Sequence, residues 1–166
     1  MEQIVQLNSN ANLSEHFVLG EFTRSNSHPE VYNIPTHEAI ANLKRVCGWL
    51  EVLRKRYNEE ISPRAALGRD DKEKPIIINS GYRSPQLNKK IGGVPTSNHL
   101  TGCAVDIRVA DMEQLIRYAA ILLDYADESH QQFDELLIER NRYGAIWLHF
   151  AVRAKGNRRK IAFINA

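Results

Sequence analysis

The sequence predicts an α+β fold in which an antiparallel sheet is covered by two main helices. Three observations predict it. Within residues 36–58, Ile40, Leu43, Cys47, Leu50, Leu53 and Tyr57 recur at steps of three and four, one apolar stripe of an amphipathic helix. A second stripe of Leu115, Tyr118, Ala119, Leu122 and Tyr125 follows Asp111, a capping residue with Gln114 three positions on. The remaining apolar runs are short and bounded by turn residues, and two of them flank 140–144 as a hairpin would.

Taken in order, residues 1–12 are polar, apart from an Ile4-Val5-Gln6-Leu7 run suited to an edge strand. Residues 13–17 begin a helical turn with Ser14 as its cap, because a serine hydroxyl satisfies free N-terminal amides. Residues 21–35 carry two prolines with several Asn and Ser, and read as a surface loop. Pro35 and Thr36 open the first long helix, and Arg54, Lys55 and Arg56 suit the negative end of its dipole. Gly48 in its middle is a mild penalty without an evident reason. Residues 59–74 are charged, contain Pro63 and Gly68, and read as a surface insertion. A short strand over 76–79 precedes a helix with Ser84 as cap and Pro85 in its first turn, stopped by Gly92-Gly93. Strands are expected at 103–109, 133–139, 145–152 and 161–164. No repeat, low-complexity tract or linker interrupts the 166 residues, so 1–166 reads as a single domain with enough apolar content for a core.

Composition narrows the function classes. There are 22 basic against 20 acidic residues, which argues against a general polyanion binder. Arg153, Lys155, Arg158, Arg159 and Lys160 do cluster, but no aromatics interleave them as base stacking would need, so no nucleic-acid partner is expected. Cys47 and Cys103 read as two buried thiols rather than a disulfide. The N-terminus lacks a positive segment followed by a long apolar one, so no signal peptide is expected. No apolar run approaches the roughly 20 residues that would span a bilayer. The expectation is a protein made in the cytoplasm with no membrane partner, which another factor would have to deliver to any external substrate.

The stretch 80–106, SGYRSPQLNKKIGGVPTSNHLTGCAVD, is the one the chain is organised around. His99 lies in a Pro/Thr/Ser/Asn loop, Asp106 in an apolar strand, and His149 far downstream in Trp147-Leu148-His149. Two histidines and one carboxylate are a ligand set that zinc accepts, with a fourth position left for water. Each residue has a plainer reading. His149 alone is a satisfied core histidine, and Asp106 alone is a buried acid bonded to amides or to an arginine. Arg83 is a surface arginine, and Ser97 either caps a turn or bonds substrate.

Three motifs together carry a resemblance: Ser80-Gly81-Tyr82-Arg83-Ser84, S-x-H-x-x-G-x-A-x-D over 97–106, and Trp147-x-His149. They resemble the zinc metallopeptidases of the D-Ala-D-Ala carboxypeptidase and phage L-alanyl-D-glutamate endopeptidase type, which are peptidase M15-like and share the Hedgehog/DD-peptidase fold. The resemblance implies Zn2+ held by His99, Asp106 and His149, Arg83 facing substrate, and peptidoglycan stem peptides as that substrate. Relatives commonly carry an acid or histidine three positions before the last histidine, where this chain has Ile146. The substitute general base is Glu139, because relatives show a similar F-D-x-L-x-x-E strand, matched over 133–139. If Glu139 opposes Ala145 across the hairpin, Glu135 opposes His149 and both acids reach the metal's side. A slip of one residue removes both. The leading reading is a zinc-dependent peptidase acting on peptidoglycan. The alternative is a zinc-bound but inactive wall-binding or signalling module, which Ile146 favours.

Overall fold

The two apolar stripes meet each other across one face of a sheet. The structure, a computed structural model, describes residues 8–25, 27–65 and 73–166. The elements are α1 (Gly20–Thr23), α2 (His37–Ala65), β1 (Ile78–Ser80), α3 (Pro85–Lys90), β2 (Ala104–Arg108), α4 (Met112–Ser129), β3 (Glu135–Arg140), β4 (Ile146–Ala151) and β5 (Lys160–Asn165), with a 3-10 turn at Asn98–Thr101. Leu43, Cys47, Leu50 and Leu53 of α2 and Leu115, Tyr118 and Leu122 of α4 are buried, as the periodicity requires. Edge-on aromatic pairs lock the helices together, Tyr57 on Tyr118 and Trp49 on Tyr125, each with ring centres 4.9 Å apart. Both cysteines are buried and free.

The sheet runs in the order β1-β2-β4-β3-β5. Period-two alternation sends Val105, Ile107, Leu136, Leu148 and Phe150 to the helices, where they join the core. It sends Asp106, His149, Glu135 and Glu139 to the other face.

Several expectations need correction. The sheet is mixed rather than antiparallel, because β5 pairs with β3 in parallel, from Glu135 with Lys160 to Arg140 with Asn165. The chain leaving β4 crosses the start of β3 before turning up its far edge. Arg159 and Lys160 donate amides there to the carbonyls of Phe133 and Asp134 at 3.0 and 2.9 Å. The first long helix continues to Ala65, so the charged segment predicted as an insertion is helical in its first part, and Arg54 to Arg56 lie inside the helix. Residues 66–72 of that segment and the 4–7 run lie outside the described residues. Ser14 caps no helix: its hydroxyl donates to Glu51 at 2.6 Å, while Asn12 and Val18 close the turn as a bridge. Part of the loop over 21–35 is also structured. Phe22 of α1 is fully buried, and Asn33 bonds to Thr23, Tyr82 and Ser84. The caps at Ser84, Thr36 and Asp111 form as expected, accepting from the amides of Leu87, Ala39 and Gln114.

Two glycines test this packing with opposite signs. Gly102 ends the 3-10 turn at φ 75°, and a Cβ there would stand 2.5 Å from the Ala39 carbonyl oxygen of α2. Gly48 sits on the exposed side of α2 with nothing within 4 Å of its missing Cβ. Gly102→Ala should therefore destabilise by about 1–3 kcal/mol, and Gly48→Ala should stabilise by roughly 0.5–1 kcal/mol. Denaturant unfolding measures both, and equal effects of the two substitutions would contradict this packing.

Candidate metal centre

Three elements deliver the candidate ligands. Asp106 and His149 are direct cross-strand partners on β2 and β4. His99 arrives from the 3-10 turn, whose N-cap Ser97 accepts from the His99 amide at 3.2 Å. Ser97 is thus a turn cap, the first of the two roles its sequence context left open. One ligand atom from each of His99, Asp106 and His149 fits within 4.8 Å of the others, and all three residues are buried. Asp106 Oδ1 lies 3.0 Å from His149 Nδ1 and 3.4 Å from His99 Nε2. The outer nitrogens are both engaged. His99 Nδ1 donates to the Gly81 carbonyl at 2.7 Å, and His149 Nε2 meets Glu135 Oε1 at 3.0 Å. Each ring therefore turns its other nitrogen toward Asp106, the geometry of a metal-holding histidine pair.

The two acids of β3 divide around His149. The hairpin register sets Leu137 opposite His149 and Glu139 opposite Trp147, two residues away from the pairing that matched Glu139 with Ala145. An even displacement keeps the same face, so both acids stay on the site's side. Glu135 takes the Nε2 edge of the ring. Glu139 Oε1 stands 3.7 Å from Nδ1, while its Oε2 accepts from the Trp147 indole at 2.8 Å. The pairing of β3 with β4 is continuous from Ile146 to Ala151, which puts positions 146 and 149 on opposite faces. Ile146 packs against the hydrophobic core, and an acid there would point away from the histidines.

Arg83 completes the shell. A bulge between Ile78 and Ser80 of β1 precedes it. Its Nη2 lies 3.3 Å from Asp106 Oδ2, and its Nε donates to Ser80 at 3.3 Å. Gly81 lets the chain pass here, because a Cβ would stand 2.7 Å from the Phe22 carbonyl oxygen.

Burial and charge set the protonation of these residues. Burial pushes the His99 imidazole below its ordinary value, against the pull of Asp106. Asp106 is held far below the usual carboxylate range: burial opposes this, and the two histidines overcome it. Burial opposes a charge on His149 as well, yet its bonds to Asp106 and Glu135 carry it up to about 10. Burial and the nearby Asp106 charge push Glu139 upward.

A family model described as peptidase M15 matches residues 15–143. The chain belongs to the peptidase M15 family. The match ends before His149, and the pairing of β2 with β4 is what brings this histidine to Asp106. No curated protein matches the chain. Among the described residues no helix is long and apolar enough to cross a membrane.

Asn98 and Asp134 were not singled out from the sequence. Asp134 is fully buried and bonded by Asn98 and by the amide and guanidinium of Arg158. An acid between Phe133 and Glu135 at the head of an apolar strand was the available signal. The arginines of 153–160 do not form a free basic patch: Arg153 and Arg158 turn to Asp134, and Arg159 turns to Asp127.

The protonation pattern gives a signed prediction. Below about pH 10 His149 holds two ring protons, while His99 is neutral at neutral pH. A divalent ion taking Nδ1 must displace one proton from His149 and none from His99. Metal affinity should rise as pH rises, by about tenfold per unit around neutrality, with about one proton released per ion. Calorimetric titration at pH 7 in buffers of different ionisation enthalpy measures that proton, and a buffer-independent heat would contradict it.

Proposed function

We propose that this protein is a zinc-dependent peptidase that hydrolyses peptidoglycan stem peptides. The observation that carries the reading is the convergence of His99, Asp106 and His149 with Glu139 beside them on one sheet face. The donor set fits zinc: two imidazoles each present one nitrogen toward a shared carboxylate, and three protein ligands leave a position open. When bound, zinc supplies the Lewis acidity that polarises a peptide carbonyl and makes water more acidic.

The chain's own residues do the rest. Glu139 Oε1, on the Nδ1 side of His149, takes the proton of the attacking water and passes it to the leaving amine. Trp147 holds the other carboxylate oxygen at 2.8 Å, which leaves Oε1 for this work. Arg83 uses Nε and Nη2 within the shell, and its remaining donors suit a carbonyl or carboxylate of substrate. The substrate class is supported by the likeness of 80–84, 97–106 and 147–149 to wall-cutting peptidases. Ile146 lies on the core face and takes no part in this scheme.

Purified muropeptides, assayed with and without chelator, test the reading. The wild-type protein should carry about one zinc and lose turnover when it is stripped, and His99→Ala or His149→Ala should abolish zinc uptake. Glu139→Gln should keep zinc and fold yet slow turnover by about 10²–10⁴-fold. A wild-type protein that binds zinc but cleaves nothing in a broad muropeptide panel would instead be a binding module.

Arg83 supplies a separate check. Arg83→Ala should retain zinc and weaken substrate use, with Arg83→Lys recovering only part, because lysine lacks the planar fork. Zinc loss in Arg83→Ala, followed by metal analysis of the purified variant, would assign the residue to the metal shell instead.

A further inference from the structure

We infer that Glu135 is the positioning residue for His149, and that Asn98, Asp134 and Arg158 exist in this fold to hold Glu135 in place. This rests on the proposed metal site and adds the part that selects which nitrogen of His149 serves it. Glu135 is a half-buried acid that the hydrolytic steps leave unused. Its Oε1 accepts from Asn98 Nδ2 at 2.6 Å while lying 3.0 Å from His149 Nε2. A carboxylate can only accept, so Nε2 carries a hydrogen and Nδ1 is the nitrogen aimed at Asp106. Rotating the ring by half a turn would put Cδ2 in place of Nδ1 and Cε1 in place of Nε2, losing the contacts with both Asp106 and Glu135. The Glu135 carboxylate opposes that rotation.

The surrounding network fixes Glu135 in turn. Asn98 Nδ2 bonds both Glu135 and Asp134, the latter at 2.8 Å, while its Oδ1 accepts from Arg153 Nε at 2.9 Å. The opposite amide orientation would set an oxygen against two carboxylates and an NH2 against a guanidinium, so chemistry leaves one choice. Asp134 is anchored by three bonds from Arg158, at 3.0, 3.0 and 2.8 Å, and Arg158 Nη2 also reaches Glu135 Oε2 at 3.5 Å. Asn98 is the immediate neighbour of His99, and Glu135 touches His149. One cluster therefore braces both histidines from behind. His99 has only a backbone carbonyl, that of Gly81, on its outer nitrogen. His149 has a carboxylate, which makes the ring the more basic donor.

The test is zinc affinity, measured on the intact protein by competition with a chromophoric chelator at fixed pH, with the cobalt(II) ligand-field spectrum as a second readout. Glu135→Ala should weaken zinc by roughly 10–100-fold and alter the cobalt spectrum. Glu135→Gln, which keeps an acceptor but loses the charge, should fall between Glu135→Ala and wild type. A purely structural role would lower the denaturation midpoint of the metal-free protein and leave the affinity of the folded fraction unchanged. If Glu135→Ala fails to fold, the near-isosteric Glu135→Gln decides alone, and wild-type affinity together with a wild-type cobalt spectrum overturns the inference. A wild-type protein that binds no zinc would instead overturn the metal site itself, so the two failures are distinguishable.

Discussion

The buried charge of Asp106 is the constraint on which the site depends. It lies in a central strand between Val105 and Ile107, both fully buried, and an uncompensated carboxylate there would cost several kcal/mol. The compensation comes from three directions. His149 is its cross-strand neighbour, His99 descends from a turn that only a glycine at 102 can close, and Arg83 enters after the bulge in β1. Each donor belongs to a different element. Strand order, the Gly102 turn and the contact of α1 with the Gly81 backbone all serve to bring them to one carboxylate.

The same centre is electrically divided along the His149 ring. On one edge stand Asp106 and Glu139, where a cation and a reacting proton would be wanted; on the other stands Glu135, braced by Asn98 and Arg158. Burial fails to discharge the His149 imidazole, because Asp106 and Glu135 bond to it and the Glu139 charge lies close by. Arg153 and Arg158 neutralise Asp134 while staying partly exposed, and Arg159 turns to Asp127. Arg158 bonds to Asp134 immediately before Arg159 and Lys160 enter the ladder at the far edge of β3.

Much of this was legible in the sequence, and the failures have physical reasons. The two helical stripes, three of the caps and the hairpin follow from local periodicity and turn chemistry, which depend on neighbours in the chain. The zinc-type trio was visible because its spacing matched a motif. The parallel pairing of β5 was not, because it joins segments far apart in sequence, Glu135 with Lys160, rather than following any local pattern. The hairpin register stayed open in the sequence, because alternation specifies only odd against even; the observed pairing sets Glu135 opposite Ala151 and Glu139 opposite Trp147, on the His149 face. Ile146, a departure from the resemblance when read in sequence, lies on the core face of β4, opposite to that of His149. Asn98 and Asp134 escaped because a buried polar residue declares itself through partners, and those lie far away in sequence.

The central claim is that His99, Asp106 and His149 form one metal site with Glu139 on its open side and Glu135 behind it. An anomalous-scattering crystal structure of the zinc-loaded protein tests it most directly. The account predicts a single strong peak about 2.0–2.2 Å from His99 Nε2, an Asp106 carboxylate oxygen and His149 Nδ1, with Glu135 still on His149 Nε2. A peak bonded to His149 Nε2 or to Glu135, or no peak among these three residues, would contradict it.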